Sequence, residues 1–194
     1  MLEITELRET SGGEVLVELD GQAWRSFPTI VVVRAELRVG KRLGREDLRL
    51  LRRELKRALA LDTATRALAQ RPLSRAMLEA RLERKGVTQE SREEAVEALE
   101  KARCIDDPAY ALVRAQGLAA RGWGNQAIAF KLEQDGIASE QAERALGALE
   151  SERERAGALA RVEPDRGRLL GRLARRGFDA ETIEEIAGDD LTRD

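Results

Sequence analysis

Two adjacent carboxylates, Asp106 and Asp107, are the residues of this 194-residue chain whose types and spacing most suggest chemistry. Such a pair can hold a divalent cation or divide acid and base work. The surroundings argue against both. The chain has no histidine and one cysteine, Cys104, so the usual base and most metal sites are missing. No third ligand accompanies the pair, and no phosphate loop of the Walker type or nucleophile with its base is found. Pro108 follows directly. An aspartate just ahead of a proline is a helix start, because its oxygens accept from unpaired backbone amides and proline has no amide to leave unpaired. The sequence therefore predicts a capping role for Asp106 or Asp107, with no catalysis, metal or cofactor. Cys104 has no second thiol to pair with and is expected to be a small buried or half-buried residue.

The second candidate chemistry is anion binding. The net charge is −2, yet residues 44–86 carry 12 basic groups against 6 acidic ones. Arginines and lysines fall in three groups: Arg49, Arg52, Arg53, Lys56 and Arg57; Arg81, Arg84 and Lys85; Arg168, Arg172, Arg175 and Arg176. At helical spacing such groups can face phosphates or an acidic protein surface, or simply cover a helix with solvated stems. An overall acidic charge disfavours a protein that binds DNA first and foremost.

The elements that position these residues are mostly helical. Aromatic residues make up only 3% while the hydrophobic share is 42%, a mixture that favours helices packed through aliphatic stripes. The exception is the N-terminal stretch. Glu14 to Leu19 alternates by side and meets Asp20-Gly21, a tight-turn signal, so Gln22 to Phe27 reads as the return strand of a hairpin that Pro28 closes. Thr29 to Arg34 is β-branched and reads as a further strand. A basic helix is expected from near Gly44 to Ala60, with Leu48, Leu51, Leu55 and Leu59 as its apolar stripe.

Beyond it the chain repeats. Leu78 to Val87, Ile128 to Ile137 and Leu169 to Phe178 align on Gly86, Gly136 and Gly177. Each has an apolar residue eight before the glycine, a leucine four before it and an apolar residue after it. That is one stripe of a helix ended by a left-handed cap. Thr88, Ser139 and Asp179 are expected to cap the next helix of each unit, and helical stretches around Thr63–Ala69, Pro108–Ala120 and Glu152–Val162 precede each glycine-capped one. The expected fold is mainly α: three tandem three-helix modules after a small β-hairpin segment and a basic helix. The boundaries are 1–43 for the β segment, 44–61 for the basic helix, 62–105, 106–150 and 151–188 for the modules, and 189–194 for a tail. The acidic start and the lack of a long apolar run predict a cytosolic protein off the membrane, and the lack of a heptad seam predicts a monomer.

In the middle module the residues become specific. Ile105-Asp106-Asp107-Pro108-Ala109-Tyr110-Ala111, then Gly122-Trp123-Gly124, then Ile128, Leu132 and Gly136-Ile137 resemble the signature of the RecX family. The resemblance extends most securely over residues 62–178. It implies a non-catalytic regulator of DNA repair and recombination in the SOS response. Such a protein would lie in the groove of the RecA filament and restrain its growth, ATP hydrolysis and strand exchange, with some affinity of its own for single- or double-stranded DNA. The second module departs from the family pattern at Gln126-Ala127, Lys131 and Asp135, where the charges differ. The departure weakens a basic surface there and shifts the expected contacts to the three basic groups above. A helical nucleic-acid-binding module acting directly on DNA is the alternative.

Overall fold

Asp20 and Gly21, both in the left-handed region at φ +48° and +79°, turn the chain between two antiparallel strands, as the Asp-Gly pair predicts. In the computed structural model, which describes residues 2–10 and 12–188, these are β2 (Glu14–Leu19) and β3 (Gln22–Pro28). The tail expected at 189–194 lies outside the described residues. A strand that the sequence reading did not anticipate, β1 (Leu2–Thr10), pairs antiparallel with β2, and the short β4 (Arg42–Leu43) pairs with its start. The sheet order is β3-β2-β1-β4.

The stretch Thr29–Arg34 is a helix, α1, and not the strand its β-branched residues suggest. Val31, Val32 and Ala35 are buried while Ile30 and Val33 are exposed. That one-sided burial has helical spacing, and packing on the sheet and the next helix overrides local propensity. The basic helix α2 (Arg45–Gln70) runs through the expected break near Leu61 and takes in Thr63–Ala69. Its buried side is Leu51, Glu54, Ala60, Ala64 and Ala67. Leu48 and Leu55 pack at the edge of that core and Leu59 is 52% exposed, so the anticipated leucine stripe covers only the first half.

The remaining helices are α3 (Arg75–Arg84), α4 (Gln89–Lys101), α5 (Asp107–Ala119), α6 (Asn125–Gln134), α7 (Ser139–Gly147), α8 (Glu152–Ala160), α9 (Arg166–Arg175) and α10 (Ala180–Gly188). The protein is thus mostly helical, with a small N-terminal sheet. α3, α6 and α9 end in the same way. Gly86, Gly136 and Gly177 sit at φ +75°, +78° and +72°. The amides of Val87, Ile137 and Phe178 donate back to the carbonyls of Leu82, Leu132 and Leu173, at 3.0–3.2 Å. This is the left-handed cap that the aligned glycines predict. Leu82, Leu132 and Leu173 are fully buried, as are Leu78 and Ile128. The predicted N-caps fare worse. Thr88 turns its hydroxyl to Ser91 at 3.1 Å without capping α4, and Ser139 is already inside α7, behind Ala138. Cys104 is exposed, because Ile105 beside it takes the buried place ahead of α5.

The chain forms two compact units. One holds the residues up to Arg71 together with Leu78–Ala102, and the other holds Pro72–Met77 together with the residues from Arg103. The core of the first is Ile4, Val17, Phe27 and Val31 under α2. In the second, α5, α6 and α7 close around Ala111, Ala115, Ile128, Leu132 and Ile137, and α8, α9 and α10 close around Ala156, Leu169, Leu173 and Phe178. Among the described residues no helix is long and apolar enough to cross a membrane.

Candidate partner and nucleic-acid interface

Asp106 caps α5: its Oδ1 accepts the Ala109 amide at 2.8 Å, with Pro108 in the first turn. Asp106→Ala should lower stability by about 1 kcal/mol, read as a lower urea midpoint with unchanged slope. Asp107 reaches elsewhere, accepting the Arg75 amide at 2.8 Å at the start of α3. The acidic pair therefore satisfies two helix starts. Among the described residues, no cluster of His, Cys, Asp or Glu that could hold a metal is found.

The family-motif residues assemble around these caps within the second unit. Tyr110 donates its hydroxyl to Asp135 Oδ2 at 2.9 Å, and Arg114 donates to the same oxygen at 3.0 Å. The unusual acid at 135 is thus matched by a neighbouring cation. Gly122 ends α5 at φ +75° and Gly124 opens α6, leaving Trp123 half-buried between them. Lys131 Nζ lies 4.6 Å from the centre of the Trp123 ring and the Arg176 guanidinium 4.8 Å from it. Arg155 donates to the Trp123 carbonyl at 2.7 Å and Arg176 to the Arg121 carbonyl at 2.9 Å.

One arrangement occurs twice in this unit. Ser74 Oγ donates to the Asp135 carbonyl, and the Gly124 amide donates to the Arg176 carbonyl at 2.9 Å. Ser74 and Gly124 each stand twelve residues before a capping glycine, and Asp135 and Arg176 each stand one before the next. Asp107, the first residue of α5, takes the Arg75 amide; Glu152, the first residue of α8, takes the Asn125 amide. The first residue of one helix thus caps the glycine-ended helix before it.

Glu152 is only 7% exposed, and its second oxygen accepts the Asp179 amide at 3.3 Å. Burial pushes its carboxyl above the ordinary range and the Asp179 carboxyl adds to the rise, against the two amides. Ser151, beside it, closes a capping box with Glu154. The turn at Ser151–Glu152 is therefore pinned by hydrogen bonds.

The three predicted basic groups fare differently. In the first, Arg49, Arg52, Arg53 and Lys56 are exposed, and Arg57 pairs with Glu94 at 3.4 Å. Arg53 approaches Glu54 at 3.7 Å, while Arg49, Arg52 and Lys56 form no ion pair among the described residues. In the second, Arg81 donates to Gln70 Oε1 at 2.8 Å, Arg84 to the Ala80 carbonyl at 3.3 Å, and Lys85 is exposed. The third group splits. Arg168 pairs with Asp165 at 3.5 Å, Arg175 is exposed, Arg176 turns to Trp123, and Arg172 lines a groove of about 610 Å³ with Arg121 and Arg155. Sequence reasoning missed Arg121, Lys131, Arg155 and Glu152. An acid at the first position of both α5 and α8 was the available signal.

Residues 106–146 match the family model described as RecX, second three-helix domain. Over those residues the chain is similar to RecX. Solved structures similar to the chain include one described as regulatory protein RecX, at 21% identity and a TM-score of 0.84, covering 97% of this chain and 100% of that one. Another is RecX from Lactobacillus salivarius, at 22% identity and a TM-score of 0.62, covering 70% of this chain and 97% of that one. The fold is that of RecX, N-terminal sheet included. No curated protein matches the chain.

Proposed function

We propose that this protein is a regulator that binds the RecA recombinase filament and restrains its growth, ATP hydrolysis and strand exchange. The observation that carries the reading is the match of residues 106–146 to the RecX second three-helix domain, set in a chain with the RecX fold. It is supported by Arg49, Arg52 and Lys56 of α2, which form no ion pair among the described residues, and by Arg172 in the groove it lines, all of which suit an acidic or phosphate-bearing surface. In this reading the protein acts as a cytoplasmic monomer without a cofactor, and the basic groups do the binding.

The test is steady ATP hydrolysis by RecA from the same organism on single-stranded DNA, with this protein added first below and then at equal amounts. Hydrolysis should fall at the low ratio, and charge reversal at Arg49 with Lys56, or at Arg172, should weaken the effect. Unchanged hydrolysis at equal amounts would overturn the reading. A second reading, direct DNA binding, is favoured by Arg49, Arg52 and Lys56 of α2, which form no ion pair among the described residues. It predicts affinity for bare DNA that collapses between about 50 and 200 mM salt, whereas a mixed protein interface weakens less.

A further inference from the structure

We propose that the first unit carries a docking site for an acidic protein segment with an apolar anchor residue. A cavity of about 360 Å³, lined by all four strands and the first half of α2, opens beside the sheet. Its floor is dry: Leu19, Phe27, Leu43 and Leu51 are buried. Its walls are half open, with Leu2 at 53% exposure and Trp24 at 40%. Large apolar side chains left open around a dry floor mark a place where another apolar group gains by burial.

The charges choose the flanks of that anchor. Arg25 and Arg52 stand in the lining and no carboxylate does. Arg52 forms no ion pair among the described residues, and neither do Arg49 and Lys56, which continue its face at spacings of three and four. Carboxylates on either side of the anchor would meet these cations, and the complementarity would set orientation and speed of encounter. A nucleic acid fits the site less well. Trp24 and Phe27 are tilted by 56° with ring centres 5.3 Å apart, so they make no parallel slot for a base, and the leucine floor would stay uncovered. The α2 cations also serve the filament reading, but the peptide titration uses no RecA, so either reading can fail without the other.

The test titrates the full chain into a fluorescein-labelled synthetic peptide alternating Asp with Leu and Phe, read by anisotropy. The controls are a peptide with Asn for Asp and a single-stranded oligonucleotide. Arg52→Glu and Trp24→Ser change exposed side chains, and thermal unfolding confirms that each variant folds. Each should weaken the acidic peptide by about tenfold, and the Asn peptide should bind the parent as weakly. No binding, or equal binding to parent and both variants, would overturn the proposal. So would displacement by the oligonucleotide with sensitivity to Arg52→Glu but not to Trp24→Ser, which would make the face a phosphate contact.

Discussion

Gly124→Ala should destabilise the second unit by about 3 kcal/mol or more, although the backbone there suits any residue. Gly124 has φ −81°, so no left-handed penalty applies. The cost is steric. A Cβ at that position would stand 2.2 Å from the Gly177 carbonyl oxygen and 2.3 Å from the Phe178 nitrogen. Both are backbone atoms held by the α9 cap, and neither can turn away. Gly177→Ala meets the same obstacle from the other side, with a Cβ 2.6 Å from that of Ala127 and 2.8 Å from its nitrogen, on top of a φ of +72°. Gly86 is the internal control. Its φ of +75° is nearly the same, but nothing lies within 4 Å of its Cβ position, so Gly86→Ala should lose only about 1–2 kcal/mol, the left-handed penalty alone. Urea unfolding followed by Trp123 fluorescence in a Trp24→Phe background isolates the second unit for the two glycines in it. Circular dichroism of the whole chain reads Gly86→Ala. If Gly124→Ala proves no worse than Gly86→Ala, the close approach of the α6 start to the α9 cap does not exist.

The capping glycines were legible because the requirement is local: a leucine four residues before, an apolar residue after and a backbone that only glycine adopts easily. The Asp20-Gly21 hairpin was legible for the same reason. What escaped depends on partners far along the chain or on rules that cancel. β1 was hidden because a bulge between Ile4 and Glu6 shifts its register, so buried Ile4 and half-buried Leu7 fall out of the period-two pattern. The break expected near Leu61 is absent because the polar residues there are satisfied inside the helix. Thr63 and Thr65 donate to the carbonyls four residues back, each at 2.8 Å, and Asp62 pairs with Arg66 at 3.0 Å. Such residues signal a boundary only when their side chains are spent on a helix end.

The candidate interface divides the same way. Asp106 as a cap, and Ile128, Leu132 and Ile137 as core, follow from spacing. The setting of Trp123 does not, because Arg176, one of its two cations, lies 53 positions away in sequence. Nor does the fate of the third basic group. Arg168, Arg172 and Arg175 share a helical spacing, but Arg176 is drawn off by the Trp123 ring and the Arg121 carbonyl. A stripe of arginines read from one helix overstates what is free to bind, since some serve the fold.

Glu152→Gln and Glu152→Ala should lose stability to different extents, and the pH dependence of each follows from the site. In the parent, a buried carboxylate accepts two amides beside the Asp179 carboxyl, with Arg155 and Glu150 as the other charges facing the cluster. Its folded pKa is raised, chiefly by burial, so the folded state holds a proton that the unfolded chain gives up. That stabilisation is present below the unfolded value and is lost as pH climbs through the raised one. Asp47 and Glu154 act with the opposite sign. Their hydrogen bonds, to the Gly44 amide and to Ser151, hold their pKa values below the ordinary range, so what they contribute is lost as pH falls. Because both are unchanged in the variants, the difference between parent and Glu152→Gln isolates Glu152. Glutamine keeps an oxygen for the Asn125 amide but turns an NH2 toward the Asp179 amide that Oε2 accepts in the parent, so this variant should lose less than Glu152→Ala and should lack the pH dependence that Glu152 supplies. Alanine leaves the Asn125 and Asp179 amides without an acceptor, and should lose about 3 kcal/mol in acid, the loss shrinking as pH climbs through the raised value of the parent. Equal slopes of unfolding free energy against pH for parent and Glu152→Gln would mean that the carboxyl does not titrate abnormally. A harmless Glu152→Ala would mean that the first residue of α8 does not hold the start of α6.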